Sequence, residues 1–512
     1  MKKILIIGIV ILALSGCSKS FLERGSLTDI GDANFWQTQN DALLGINGIY
    51  DVLQDRVMYS GNLNGDAGLP MYDNFGDNAY NSYKFEGPGN FMVGNIDPSA
   101  AIFNGLWTSC YKGIARANVA LEKIPQIPSS AISDTTKQSL MAQALFLRAL
   151  FYMNIAIYYQ DAPLILQVQG LKDAYVPKNT FQEISAQVVT DLKSAAQSLP
   201  VSYPASQRGY ATKGAALGLL ARFDLYIKDY QGVLDATSQI MSLGYNLNPS
   251  YSQLFTEAGE NSNEIIFAVK FYQDVSNNGE LFSGTYAGIP KVDEQPMPNL
   301  VNDYYCTDGL PISQSLLYDP AHPKANRDTR LNSSVYFKGD TFLIDINKVF
   351  AGNTATKYGL RKYLRNSSSS TGIATFSPGG QDFIVLRYAD VLLMRAEALV
   401  ELNQLDEVPS LIDLIRARVN MPSVENVEGA GLSQDQLRNI VRHERRIELA
   451  FEGLRFFDLK RWGLVQQAFQ TATSDKIAGY SPNYRNDKSE IFAIPQSELD
   501  ANTQLVQNPV WQ

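Results

Sequence analysis

The chain has 512 residues, 45% of them hydrophobic, and a formal charge of −9. That hydrophobic share is ordinary for a globular protein, and the length suffices for a large core. An acidic body of this size repels phosphate backbones, which excludes general nucleic-acid binding.

At the N-terminus, Lys2 and Lys3 precede the apolar run Ile4 to Leu14, too short for a membrane-spanning stop-transfer helix. The run closes on Leu14-Ser15-Gly16-Cys17, which resembles the lipobox of bacterial lipoproteins. The resemblance implies cleavage before Cys17 and acylation of that residue, and each buried CH2 of an acyl chain contributes about 0.8 kcal/mol of membrane affinity. Residues 1–16 are read as a signal peptide and 17–34 as a lipidated polar tether. Loss of Lys2 and Lys3 takes the charge from −9 to −11. No long charged or Pro-rich linker divides the rest, so residues 35–235 and 236–512 are expected to be two halves of one compact unit.

The stretch at 71–91, MYDNFGDNAYNSYKFEGPGNF, holds six aromatics in 21 residues, against 11% in the whole chain. They stand among Asn, Asp and Gly, which favour turns over a packed core. Between Lys137 and Tyr159 the sequence is apolar all round, which predicts a helix buried among neighbours. Thr212 opens a second helix rich in Ala and Gly, running to Tyr230 and suited to close helix contact. Short strands are expected at 264–271 and 335–339. From Leu386, a stripe of Ala389, Leu392, Leu393, Ala396, Leu399 and Val400 predicts a helix, with LIDLIRARVN after it as antiparallel partner. Long irregular stretches, roughly 58–104, 270–345 and 351–382, separate these elements; loops of such length are usually functional.

The run RHERRIELAFEGLRFFDLKRWG at 442–463 interleaves Glu444, Glu448, Glu452 and Asp458 with arginines. Spacings of three and four predict a helix laced by local ion pairs, with Ile440, Val441, Ile447, Phe451 and Leu454 as its apolar stripe. Catalytic equipment is sparse: there are two histidines, His322 and His443, and no HExxH or GxSxG motif. No enzyme activity, cofactor or metal is expected. Asn62, Asn64 and Asp66 alternate like calcium ligands, but the central Gly and terminal Glu of such a loop are missing. Cys110 and Cys306 are either a disulfide or two buried thiols.

Taken in order, these motifs resemble the SusD/RagB family of nutrient-binding surface lipoproteins from Cys17 to the C-terminus. The resemblance rests on LFLRALFYMNIAIYYQDAPLI, where Gln160 replaces the usual Gly, on TKGAALGLLARFDLYIKDY and NEIIFAVKF, and most specifically on LRYADVLLMRAEALVELN with IRARVNMP. RHERRIELAFEGLRFFDLKRWG and the terminal AIPQSELDANTQLVQNP complete it, with Thr503 where Pro is common. It implies a mostly α fold, in which four tetratricopeptide-like units carry long irregular loops and a few short strands. It also implies a glycan-binding lipoprotein that passes oligosaccharides to a SusC-like TonB-dependent outer-membrane transporter and acts as its lid. A peptide-binding member, or a structural lid without ligand affinity, are the alternatives.

In SusD-like proteins the ligand surface comes from loops that correspond here to residues 66–95 and roughly 282–305. Sugar rings pack on aromatic planes while their hydroxyls need polar partners. The resemblance therefore implies Asp66, Asp73 and Asn74 as hydroxyl ligands and Tyr80, Tyr83 and Phe91 as stacking rings. Asn95 stands close by, with Tyr286 and Tyr304 from the second segment.

Overall fold

The computed structural model describes residues 35–61, 68–81, 87–273, 278–283, 294–343, 347–364 and 379–512. Among them, eleven helices of eight or more residues carry the architecture. Helix α1 (Gln39–Tyr50) opens on a capping box, in which Thr38 accepts from the Asp41 amide and Asp41 accepts from the Thr38 amide. Five more helices follow, each packed on the one before: α2 (Ala101–Lys123), α3 (Asp134–Tyr159), α4 (Phe181–Ser198), α5 (Lys213–Ile227) and α6 (Tyr230–Met241). The stack continues from α6 onto α7 (Tyr388–Glu401), which packs against α8 (Val408–Arg418) and α9 (Gln434–Glu448). Helices α10 (Arg455–Trp462) and α11 (Val465–Ser474) close the series.

The chain is mostly helical, as expected, and α3 shows why its sequence reads as it does. The helix is long and apolar enough to cross a membrane, yet 89% of its most apolar window is buried inside the protein. Its one arginine there, Arg148, holds Asp191 of α4 through two hydrogen bonds of 2.7 and 2.9 Å. Small residues set the spacing. A Cβ on Gly113 of α2 would lie 2.2 Å from the Phe151 ring of α3, so only glycine fits.

Among the described residues the strands form four antiparallel pairs: β1 (Ala79–Tyr80) with β3 (Gln295–Pro296) and β2 (Ile265–Val269) with β8 (Phe383–Arg387) join distant parts of the chain, β4 (Val335–Tyr336) pairs with β7 (Gly359–Leu360), and β5 (Thr341–Leu343) pairs locally with β6 (Lys348–Val349). The helix expected from Leu386 begins at Tyr388, because Leu386 and Arg387 finish β8 against β2.

The charged run at 442–463 is helical in two pieces, α9 and α10, but its ion pairs are not the local surface pairs that spacing suggests. Glu444, Arg445, Glu448, Glu452, Asp458 and Arg461 are buried, and most of these charged groups reach across the fold. Arg387 of β8, 1% exposed, donates to Glu264 (2.9 Å), Glu448 (2.6 Å) and Glu452 (2.6 and 2.8 Å). Glu448 also receives Arg330 at 2.9 Å and Arg418, while Lys362 binds Glu452 at 2.7 Å. A second cluster joins Arg222 and Arg445 through Asp390, and Arg445 and Arg461 through Asp458. Burial would raise the Glu448 carboxyl, but Arg418, Arg387 and Arg330 hold it well below the usual range. One local pair does form, between Arg461 and Asp458.

Two positions carry local cost. Gln160 closes α3 at φ 63° and ψ −93°, a region that favours glycine. Gln160→Gly is expected to raise stability by about 1 kcal/mol, read as a higher urea midpoint at unchanged slope. Asp224, 1% exposed in the last turn of α5, has no hydrogen-bond partner on either carboxylate oxygen. Burial, and then the neighbouring Asp229 charge, pushes its pKa up to about 7. A raised folded pKa favours the fold below the unfolded value, about 3.9, and that advantage is lost as pH rises through 7. Asp224→Asn is therefore expected to melt several degrees above the wild type at pH 8 and close to it at pH 4.

Candidate functional site

The two segments singled out from sequence meet. Strand β1 lies in the first and β3 in the second, paired Ala79 to Pro296 and Tyr80 to Gln295. The Met297 amide extends the ladder to the Asn78 carbonyl at 2.9 Å. Nearby in sequence, the Leu281 amide donates to the Ser60 carbonyl at 2.7 Å. Gly61, at φ 82°, runs so close to Phe282 that a Cβ would lie 3.0 Å from its amide nitrogen. Loops more than 200 residues apart are thus stitched together by backbone bonds at two places.

Arginines brace the junction from below. Arg446 of α9 donates to Asn78 Oδ1 (2.9 Å), Asp303 Oδ2 (2.9 Å) and the Asp77 carbonyl (3.1 Å). Arg455 of α10 grips both Asp77 oxygens at 2.7 and 3.0 Å. Burial works to raise the Asp77 carboxyl, yet Arg446 and Arg455 hold it at about 2. It is a fixed anion under the loop, not a group free to receive a ligand.

Tyr80 faces Tyr480 edge to face, with ring centroids 4.7 Å apart, and only 6% of Tyr80 is exposed. Beside them, Asn299 binds Asp475 through side chain and backbone at 2.6 and 3.1 Å. Sequence reasoning missed Tyr480, Asn299 and Asp475. The segment GYSPNY at 479–484 carries the same mixture of rings and turn-formers as 71–91, and that signal marks it.

Besides Tyr80, whose ring is buried against Tyr480 rather than displayed, four of the expected ligand residues require correction, because the structure places them inside. Leu69–Phe75 forms a tight helical segment packed on α10, and all seven residues are buried. Asp73 accepts hydrogen bonds from the Phe451 amide (2.7 Å), the Arg455 amide (3.2 Å) and Asn78 Nδ2 (3.0 Å). It anchors the turn between α9 and α10, where Phe451 sits at φ 65°. Asn74 donates to the Met71 carbonyl at 3.1 Å. Phe91 packs in a ring cluster with Phe75, Phe103, Phe456 and Phe492. Tyr304 is wholly buried, and its carbonyl accepts from Arg327. All four side chains are enclosed, which leaves no face for a ligand.

Asn95 is exposed and lines a 210 Å³ cleft with Asn90, Asp97 and Ser99. Asp66, Tyr83 and Tyr286 lie outside the described residues, as do Cys17 and the alternating Asn62 and Asn64. Among the described residues no group of three His, Cys, Asp or Glu side chains is placed to hold a metal ion. His443 stacks on Tyr305 at 4.0 Å and bonds the Asp303 carbonyl, while His322 is exposed beside Asp319. Cys110 and Cys306 are separate buried thiols.

Two family models match the chain. One, described as starch-binding associating with outer membrane, covers residues 32–225. The other, described as the SusD family, covers residues 263–511. A SusD-like protein of Formosa agariphila is 28% identical over 480 residues, 88% of each chain. A solved SusD-like carbohydrate binding protein of Bacteroides fragilis is 28% identical, with a TM-score of 0.78 over 92% of this chain and 100% of that one. A laminarin binding SusD-like protein shares the fold at a TM-score of 0.73 and 23% identity, over 92% of this chain and 99% of that one. The paired strands, the helical stack and these matches have one reading: the chain belongs to the SusD/RagB family.

Proposed function

We propose that the protein binds oligosaccharides at the loop junction around β1 and β3, without turning them over. The observation that carries this reading is the junction itself. Backbone pairing of their described parts holds two polar, ring-bearing segments side by side, so that one ligand can meet both. The carbohydrate binding relative from Bacteroides fragilis, matched over its whole length, supports it. Asp66, Tyr83 and Tyr286 are the proposed contacts, with Tyr80 and Tyr480 as the edge-to-face pair at the base of the surface. Acylated at Cys17 and held on the outer membrane, the protein would deliver its ligand to a SusC-like TonB-dependent transporter and close over it as a lid.

The experiment is a glycan array followed by calorimetry on the purified protein, with a mixed peptide pool alongside. Affinity for at least one oligosaccharide, intact after incubation, and none for peptides is the expected result. Peptide binding alone, or release of sugar products, would reject the reading.

A further inference from the structure

Away from the β1–β3 junction, a second cleft of 340 Å³ opens between the α4–α5 connection, the segment after α6 and strand β2. It shares no lining residue with the Tyr80–Tyr480 pair. Its size falls in the usual range for small-ligand sites, about 300–1,000 Å³.

Three tyrosines line it: Tyr203, Tyr210 and Tyr245, each half-buried. Their hydroxyls are tied down. Tyr203 accepts from Gln143 Nε2 at 2.6 Å, Tyr210 donates to Asn47 Oδ1 at 2.6 Å, and Tyr245 bonds Thr212 at 3.3 Å. Tyr210 is further wedged between Tyr203 and Tyr50, at ring distances of 5.7 and 5.5 Å. Rings fixed at the tip lose little freedom when a ligand packs on them.

The polar wall is equally fixed. Lys270 pairs with Asp382 and with Glu260 at 3.6 Å, and the Asp382 amide donates to Glu260 at 2.8 Å. Arg208 bonds Asn261 across the mouth. The charged groups lining the cleft are two bases, Arg208 and Lys270, and two acids, Glu260 and Asp382. That balance suits neither a phosphate nor a polycation. Fixed rings beside paired donors and acceptors suit a neutral polyhydroxylated ligand.

A neighbouring cavity of 380 Å³ shares Arg208, Gly209, Tyr210, Ala268 and Lys270 with this cleft. It shares Asp51 and Gln54 in turn with a third, of 550 Å³, that reaches Ser60 and Leu281. These last two residues make the backbone bond next to Gly61 and Phe282. The three cavities therefore adjoin in a row that ends beside the Ser60–Leu281 backbone bond.

We infer that the Tyr203–Tyr210–Tyr245 cleft is a second sugar subsite, which engages the far end of a glycan chain long enough to follow the groove. This rests on the glycan-binding reading above. A chain held at two places gains affinity through the effective concentration of its second end, whereas a short oligosaccharide occupies one place only.

The test titrates starch, laminarin, xylan and galactan oligosaccharides, in graded lengths from disaccharide to polymer, into the full mature protein and two variants, Tyr210→Ala and Arg208→Ala. Both positions are at least partly exposed, and matching melting temperatures confirm that the variants fold. The inference expects affinity to rise with chain length and both variants to lose about tenfold or more for long chains while short chains bind as before. Unchanged long-chain affinity in both variants, with short-chain binding intact, overturns the second subsite and leaves the first. No binding of any glycan by the wild type rejects the reading on which both depend. Loss of capture by an outer-membrane protein, with long-chain affinity unchanged, would make the cleft a protein-docking surface and overturn the inference.

Discussion

Arg387→Met is expected to lose about 3–5 kcal/mol of folding free energy, or to prevent folding altogether, because breaking one partner of a buried ion pair strands the other charge. Here the stranded groups are three: Glu264, Glu448 and Glu452 all bind Arg387 and are almost wholly buried. In the variant Arg418 still pairs with Glu264 and Glu448, Arg330 with Glu448 and Lys362 with Glu452, which tempers the loss without replacing the bonds. The measurement is the urea midpoint, with Arg116→Ala as control. Arg116 pairs with Asp51 at the surface, where such a bridge contributes about 0–1 kcal/mol. Equal losses in the two variants would mean that the buried network does not hold the fold together. Its pH signature has a defined sign. Glu448 is held below its unfolded value, so its contribution is present above pH ~4.3 and is lost as acid brings pH down through the folded pKa.

Phe91→Ala is expected to cost a similar amount, about 3–5 kcal/mol, by opening a cavity among four neighbouring rings. Phe91→Leu keeps most of the volume and is expected to cost about 1–1.5 kcal/mol. The pair separates the two roles that sequence leaves open for this residue. If Phe91 stacked on a sugar, the Leu variant would lose ligand affinity while remaining folded. As a core residue with no exposed surface, it should give a Leu variant that binds glycan like the wild type. Calorimetry well below the melting temperature decides between them.

The helices were legible because burial imposes a period on sequence. The run from Lys137 to Tyr159 is apolar on every face, and α3 is enclosed by neighbours. Strand β8 was less so. Its residues FIVLR form a short apolar run directly before a helical stripe, and periodicity cannot mark where one ends. The charges of α9 and α10 deceive in another way. Spacing within one helix is visible in sequence, whereas Glu448 meeting Arg387 and Arg330 depends on how distant elements pack.

The two segments that the sequence singles out do meet, through β1 and β3, but the direction of their side chains was not legible. Turn-forming composition around Met71 to Phe75 suggests an exposed loop, yet this segment packs under α10 and hides Asp73, Asn74 and Phe75. Asp73 illustrates the ambiguity: a carboxylate among rings suits a sugar hydroxyl and a backbone amide equally well, and here it takes the amides of Phe451 and Arg455. GYSPNY marks Tyr480 by composition, but its pairing with Tyr80, 400 residues earlier in the chain, is not visible in sequence.

The most direct test of the central claim is calorimetry on the variant Asp66→Ala/Tyr83→Ala/Tyr286→Ala, using the oligosaccharide that the array selects. Binding at the β1–β3 junction predicts at least a hundredfold loss of affinity, about 1.4 kcal/mol for each tenfold step, with an unchanged melting temperature. Wild-type affinity in this folded triple variant would contradict it.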